Sequence, residues 1–179
     1  INPDSITKPY QDTIRAAEWF VEKPWIDCER MAAGGGSYGG FLAATLLGRE
    51  HPFKTLIAHA AVYSNFAQYG ADYGAGQRRF FEHWERPEEF ARYSPHSGAA
   101  NFETPTLVIH GQLDQRVPFN NGMELFQTLQ NRGVPSRFVY FPDENHWILK
   151  RQNSLFWYRE VKDWLARYAP ASREWKIWP

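Results

Sequence analysis

Apolar side chains along the chain alternate between helical spacing and short continuous runs. Apolar residues three and four positions apart predict helices over residues 9–23, 38–47, 123–129 and 155–168. Short runs rich in small or β-branched residues predict buried strands over residues 30–35, 55–63, 106–110 and 136–141. Because helices and strands follow one another in this way, the pattern indicates an α/β fold, a mostly parallel sheet flanked by helices.

Proline and glycine set the predicted ends of several helices. Pro9 is placed in the first turn of the first helix, where its missing N–H has no intrahelical partner to lose, and Pro24 ends that helix. Gly48 and Gly133 end two of the others.

The interval 65–104 interrupts the alternation. It holds many aromatic residues and no run that is typical of a strand. Long structureless loops are uncommon in compact domains, so short helices are expected here, with Pro87 starting or breaking one of them. Together they would form a cap over the sheet edge where ligands usually bind.

Composition and charge narrow the possible functions. The 179 residues include 20 Lys+Arg and 20 Asp+Glu, so the chain has no net field to steer a nucleic acid or an acidic membrane onto it. No stretch approaches the roughly 18–20 apolar residues of a membrane helix, and a soluble protein is expected. Cys28 is the sole cysteine, which excludes an intrachain disulfide and a cysteine metal cage. The aromatic fraction of 17% predicts a pocket or an interface lined by rings.

The clearest chemical signal is Gly35-Gly36-Ser37-Tyr38-Gly39, a G-x-S-x-G motif between a predicted strand and a predicted helix. In a nucleophile elbow the serine takes a sparsely allowed conformation, and side chains two residues before and after it would collide. The turn exposes the hydroxyl and aims the next N–H, that of Tyr38, at a developing oxyanion. The alternative is a glycine-rich turn that packs closely or binds phosphate, although the lysine of a phosphate-binding loop is absent.

A serine nucleophile requires a base, and the base requires an orienting carboxylate. In α/β-hydrolases the acid and then the histidine follow the serine along the chain, each past the carboxyl end of a strand. Asp114 is the carboxylate that follows the strand ending at His110, and His146 is the imidazole that follows the strand ending at Phe141. The order predicts a triad of Ser37, Asp114 and His146.

Other roles for these residues remain open. Asp114 could cap a turn or a helix, and His146 could simply pack beside Trp147. Asp143 and Glu144 are rival partners for His146, but residues so close on a tight loop seldom point back at the ring.

A metal site built from His110, Asp114 and His146 is a further alternative, but it would leave Ser37 without a role. The other five histidines are expected to be structural. They are His51, His59, His83, His96 and His110.

Four segments together resemble the catalytic domain of the prolyl oligopeptidase family. They are residues 24–27 (PWID), 35–41 (GGSYGGF), 110–117 (HGQLDQRV) and 142–146 (PDENH). Within the family the chain is most similar to the bacterial dipeptidyl-peptidase five and acylaminoacyl-peptidase branch, over about residues 9–168.

The resemblance implies a serine peptidase that acts on short peptides and needs no cofactor or metal. It makes Ser37 the nucleophile, His146 the general base and acid, Asp114 the orienting carboxylate and the Tyr38 N–H an oxyanion donor. Part of the wall around the substrate residue before the scissile bond would come from Val62, Phe66 and Tyr69. A carboxylesterase with the same triad and a non-catalytic interaction subunit are the alternatives.

The resemblance also implies that residues 1–179 form the C-terminal portion of an α/β-hydrolase catalytic domain, with a cap-like insertion at about 65–104 and a tail at 169–179. Family members carry a β-propeller and several strands ahead of the first helix predicted here. The expected partners are a short peptide substrate and either a second copy or a complementing N-terminal segment at the open sheet edge. Neither a nucleic acid nor a membrane is expected, and the bacterial cytoplasm or periplasm is the expected location.

Overall fold

The computed structural model describes residues 4–72 and 82–170. In these ranges an all-parallel sheet of order β1-β2-β3-β4 lies between two layers of helices, which confirms the predicted fold class. The strands are β1 (Ala32–Gly36), β2 (Thr55–His59), β3 (Thr106–Gly111) and β4 (Ser136–Phe141). The helices are α1 (Asp4–Val21), α2 (Tyr38–Leu46), α3 (Asn65–Gln68), α4 (Pro87–Arg92), α5 (Asn120–Asn131) and α6 (Arg151–Tyr168).

The central strands are continuous apolar runs because both of their faces are covered. On one face Leu56 and Val108 pack against α2 and α5, and α1 packs on the outside of α2. On the other face Leu107 and Ile109 pack against α6. The Trp164 indole N–H donates to the Thr55 hydroxyl at 2.7 Å, so α6 is also fixed to β2 by a buried hydrogen bond.

Two predicted element boundaries were wrong for identifiable reasons. The first helix begins at Asp4, so Pro9 lies inside it rather than in its first turn. Ile6 is 6% exposed, and we attribute the additional turn to its burial, which offsets the lost backbone hydrogen bond. The strand predicted over 55–63 ends at His59, because Ala60 has a φ of 44° in the left-handed region.

The interval 65–104 contains no strand in its described part. It forms α3, α4 and a 3₁₀ segment, Pro95–Asn101, and α4 begins at Pro87. Residues 73–81, within the predicted cap, and 171–179, within the predicted tail, lie outside the described residues. The cap therefore stays a prediction.

Parallel strands bring their carboxyl ends to a single edge of the sheet. The turns that follow β1, β3 and β4 carry Ser37, Asp114 and His146 to this edge. At the end of β3, a Cβ on Gly111 would lie 2.6 Å from the Glu144 carbonyl oxygen and even nearer that of Asn145. The end of β3 thus packs directly on the loop that carries His146.

Within the described ranges, none of the helices combines the length and apolar character that crossing a bilayer requires.

Candidate active site

Ser37 stands at the sharp turn between β1 and α2. Its backbone has φ 58° and ψ −118°, a conformation that costs about 1–3 kcal/mol and persists where the surroundings impose it. The Ser37 N–H donates to the His59 carbonyl at 3.0 Å, and the Ser37 carbonyl accepts the Phe41 N–H at 2.9 Å. The serine backbone is therefore held by the neighbouring strand and by the first turn of α2.

Close backbone contacts explain the glycines of the motif only in part. A Cβ on Gly35 would lie 2.7 Å from the backbone of Gly39, as crowding in the elbow predicts. A Cβ on Gly39 would meet no atom of the described residues within 4 Å, so the collision predicted at that position is not found there. Gly40, which the motif does not include, would place a Cβ against the His59 carbonyl oxygen and 2.9 Å from the Ala61 Cα. The second glycine of the pair Gly39-Gly40 was the sign in the sequence that the backbone is also crowded at this position.

Tyr38 is the first residue of α2. The first N–H groups of a helix point out beyond its N-terminal end, where they favour negative charge. The Tyr38 side chain is 51% exposed and its ring lies 5.8 Å from that of Phe41. The Tyr38 N–H is thus among the N–H groups at the start of α2, directly after Ser37.

The structure brings Asp114 and His146 into direct contact. The His146 Nδ1–H donates to Asp114 Oδ2 at 2.8 Å, with the carboxylate fully buried and the His146 side chain 11% exposed. Because Nδ1 carries the proton in this pair, the neutral ring keeps Nε2 as a proton acceptor.

The Asp114 carboxylate also organises its own loop. Oδ1 accepts the N–H groups of Arg116 at 2.9 Å and Val117 at 2.8 Å. Burial raises the pKa of the Asp114 carboxyl, but hydrogen bonds from His110, His146 and the Val117 N–H outweigh burial and hold the pKa below its usual value. Asp114 is therefore ionised at neutral pH, and it is both a turn-forming residue and the partner of the imidazole.

The rival carboxylates face away from the ring. Asp143 pairs with Lys150 at 2.6 Å, and Glu144 accepts the N–H groups of Leu149 and Lys150 where α6 begins. Both residues therefore fix the start of α6. Nor does any group of three or more His, Cys, Asp or Glu side chains in the described part of the chain have the arrangement of a metal site.

Comparison with known proteins identifies the family to which the chain belongs. The sequence model of the prolyl oligopeptidase family matches residues 1–171. The chain belongs to the prolyl oligopeptidase family. The bacterial branch inferred from the motifs stays a prediction.

Relatives named dipeptidyl-peptidase 5 align with most of this chain. A probable dipeptidyl-peptidase 5 of Aspergillus terreus is 39% identical over 173 residues, which cover 90% of this chain and 23% of that protein. The dipeptidyl-peptidase 5 of Aspergillus oryzae is 37% identical over 172 residues, with the same two shares. The chain thus spans about a quarter of the length of these relatives.

Two solved peptidase structures superpose on the chain. An acylaminoacyl peptidase of Pyrococcus horikoshii matches with a TM-score of 0.82 at 22% identity, covering 94% of this chain and 29% of that one. The dipeptidyl peptidase 4 of Porphyromonas gingivalis matches with a TM-score of 0.77 at 25% identity, covering 89% and 22%. The chain therefore shares its fold with a part of each of these two proteins.

The serine and the imidazole share an edge of the sheet without a hydrogen bond between them. In residues 4–72 and 82–170 no bond joins the Ser37 hydroxyl to His146. Both residues nevertheless lie near His59. The Ser37 N–H donates to the His59 carbonyl oxygen, and the pKa of His59 is lowered first by burial and then by the nearby charges of His110 and His146. Serine–base hydrogen bonds in ligand-free hydrolases are often long and tighten when substrate binds.

The residues of the expected substrate wall differ in their surroundings. Val62 is half-buried after β2, whereas Phe66 is 42% and Tyr69 37% exposed. The Phe66 ring lies 5.1 Å from that of Phe90, and the Tyr69 ring lies 4.6 Å from that of His83. Phe66 and Tyr69 therefore belong to an aromatic cluster that α3 and α4 share, and no ring contact or hydrogen bond in the described ranges ties this cluster to Ser37.

His59 is a site neighbour that the sequence reasoning took for a structural residue. Burial and the nearby charges of His110 and His146 lower its pKa to about 4, against an opposing attraction from Asp114. Its ring lies 6.0 Å from that of Trp157 on α6. The sequence marked His59 as the end of a strand, but no local pattern in it showed that this strand lies beside Ser37.

We expect the neutral His59 to make the fold sensitive to acid. The unfolded chain binds a proton at this position near pH 6.5, whereas the folded chain does so only near pH 4. The stability contributed by His59 is therefore complete above pH 6.5 and is lost as the pH falls toward 4, by an amount on the order of 3 kcal/mol. Urea unfolding of the wild type and His59→Val at pH 7 and pH 4.5 measures this loss. If the free energy of unfolding falls equally in both proteins between pH 7 and pH 4.5, the lowered pKa of His59 is refuted.

Proposed function

We propose that this chain forms the catalytic part of a serine peptidase that cleaves short peptides through an acyl-enzyme. The observation that carries the proposal is the buried contact of 2.8 Å between Asp114 and His146, at the sheet edge where Ser37 adopts its strained turn. Membership of the prolyl oligopeptidase family supports the same reaction class.

In the proposed reaction, His146 Nε2 takes the proton of the Ser37 hydroxyl as its oxygen attacks the substrate carbonyl carbon. The Asp114 carboxylate stabilises the imidazolium that forms, and the Tyr38 N–H donates to the oxyanion of the tetrahedral intermediate. The imidazolium then protonates the leaving amine, and the C–N bond breaks to give an ester on Ser37. A water molecule, activated by the same imidazole, hydrolyses that ester and restores Ser37.

The names of the relatives and the exposed rings of Phe66 and Tyr69 support a substrate class. Relatives named dipeptidyl-peptidase 5 and a structural neighbour named acylaminoacyl peptidase support a substrate with a short segment before the scissile bond. We assign Val62, Phe66 and Tyr69 to the wall around the substrate residue that precedes that bond. Since Phe66 and Tyr69 expose aromatic surface, an apolar side chain is the expected preference there.

A second candidate function is pairing with another chain or segment along β1. In the described sheet β1 pairs with β2 alone, and Ala32, Gly34 and Gly36 are exposed. An edge strand of this kind is a template for a further strand. This role alone would require no reactive serine, so a test of Ser37 reactivity separates the two functions.

A fluorophosphonate probe tests the proposal directly. We expect the probe to modify the wild type at Ser37, as located by mass spectrometry of the digest, and to leave Ser37→Ala unmodified. Ser136→Ala is the matched control. It removes a hydroxyl at the amino end of β4, whereas Ser37 lies past the carboxyl end of β1, so this variant should label like the wild type. Reporters with dipeptidyl, acyl-aminoacyl and simple ester groups then distinguish peptidase from esterase. Absence of labelling at Ser37 would contradict the catalytic proposal.

A further inference from the structure

His110 lies directly behind the carboxylate of the candidate triad. It is the fifth residue of β3, and its side chain is fully buried. The His110 Nε2 lies 2.8 Å from the Val117 carbonyl oxygen and 3.4 Å from Asp114 Oδ2. Because a carbonyl oxygen can only accept, the proton of this ring is on Nε2, which faces both oxygens.

Asp114 Oδ2 is consequently approached by two imidazoles. The His146 Nδ1–H donates to it on the partly exposed side, and the His110 Nε2–H approaches it from the buried side. The other oxygen, Oδ1, accepts the backbone N–H groups of Arg116 and Val117. The carboxylate is thus contacted by donors at both oxygens, and His110 is the member of this set that lies on the sheet itself.

The position of the His110 ring is fixed by its neighbours on α5 and the turn before it. A Cβ on Gly122 would lie 2.6 Å from His110 Nδ1, so glycine alone lets the ring occupy this place unshifted. The Phe119 ring contacts it edge-on at 5.9 Å between centroids. His110 Nδ1 is buried without a hydrogen-bond partner in the described part of the chain.

The unpartnered nitrogen argues against a purely structural role. A buried polar atom without a partner costs free energy, and an apolar ring would fill the same space without that cost. What an apolar ring lacks is the N–H that His110 directs at the Val117 carbonyl and the Asp114 carboxylate. The benefit of histidine at this position therefore lies on its Nε2 side, toward the triad.

We propose that His110 is a positioning residue for the proposed triad, whose Nε2–H clamps the Asp114 loop to β3 and keeps Asp114 Oδ2 directed at His146. The inference rests on the proposed function, since it concerns how the same site is held. The His110 Nε2, 3.4 Å from Asp114 Oδ2, is also one of the groups that keep the pKa of Asp114 low against the effect of burial.

Two substitutions separate the donor from the ring. His110→Phe keeps a ring of similar shape and removes the N–H, whereas His110→Gln keeps an N–H donor and removes the ring. We expect His110→Phe to lower kcat by about 10- to 100-fold with KM unchanged, since small displacements of catalytic groups have effects of this size. His110→Gln should restore most of the loss. His51→Phe, at a histidine bonded to Thr104 away from the site, is the control and should retain the wild-type kcat.

A second readout reports on the clamp itself. In proton NMR spectra, the hydrogen-bonded His146 Nδ1–H should give a low-field resonance in the wild type and His110→Gln, and this resonance should shift or broaden in His110→Phe. A folded His110→Phe with wild-type kcat and an unchanged resonance would overturn the proposal. If His110→Phe does not fold, His110→Leu takes its place, and loss of folding in both would assign His110 to the core and overturn the proposal as well.

The positioning role of His110 and the proposed peptidase function can fail separately. Wild-type protein that labels at Ser37 but tolerates His110→Phe would refute the role of His110 and leave the peptidase assignment intact. Wild-type protein that does not label would refute the catalytic function, and the NMR comparison would still decide whether His110 holds the Asp114 loop.

Discussion

Replacing Asp114 by asparagine is expected to lower kcat by about 10⁴ while the fold is retained. The Asp114 Oδ1 accepts two backbone N–H groups, from Arg116 and Val117, so the oxygen of an asparagine amide will keep that position. Its NH₂ group must then replace Oδ2 and donate to His146 Nδ1. This donation moves the imidazole proton to Nε2, where the ring can no longer accept a proton from Ser37.

The measurement is kcat for an activated ester, with circular dichroism and urea unfolding to check the fold. Asp143→Asn is the matched control, because it changes a carboxylate three residues from His146 that pairs with Lys150 and does not contact the ring. Its activity should stay close to that of the wild type. Unfolding of Asp114→Asn would mean that the carboxylate serves mainly as a turn cap, and an unchanged kcat would remove it from the mechanism.

Adding a single methyl group at Gly111 is expected to impair both stability and turnover. In Gly111→Ala the new carbon would overlap the carbonyl groups of Glu144 and Asn145, so the loop that carries His146 must move away from β3. Overpacking of this kind costs about 1–3 kcal/mol. Since a displacement of about 1 Å in a catalytic group can reduce the rate about 100-fold, we expect a loss of that order in kcat.

Urea unfolding and ester hydrolysis measure the two effects. Gly70→Ala is the control, because a Cβ at that glycine would meet nothing within 4 Å among residues 4–72 and 82–170. It should match the wild type in both assays. Gly111→Ala with full activity would show that the His146 loop can shift without disturbing its contact with Asp114, which would argue against a rigid site.

The sequence predicted the layers of the fold and the edge that carries the site, because these depend on local signals. Continuous apolar runs marked β2 and β3 as buried strands, and the glycine motif marked the turn at Ser37. Since parallel strands present their carboxyl ends together, the order of Ser37, Asp114 and His146 was sufficient to place them at one edge. The sequence order alone could not supply the contact between Asp114 and His146, which the structure provides.

The features that the sequence did not reveal depend on register between strands and on packing between elements. His59 lies beside Ser37 because β1 and β2 align Gly36 with His59, a pairing that no local pattern specifies. His110 meets Asp114 and Gly122 because α5 packs back on β3. The start of α1 was misplaced because the burial of Ile6, a tertiary effect, outweighed the local preference of Pro9 for a first turn.

The His59 carbonyl receives the Ser37 N–H and is also the atom against which Gly40 packs. Ser37 and Gly40 are thereby held by β2, an interior strand, and not by the side of β1 that is unpaired in the described sheet. A strand added along that side of β1, from the same polypeptide or from another, can therefore vary in length and sequence without moving the Ser37 hydroxyl.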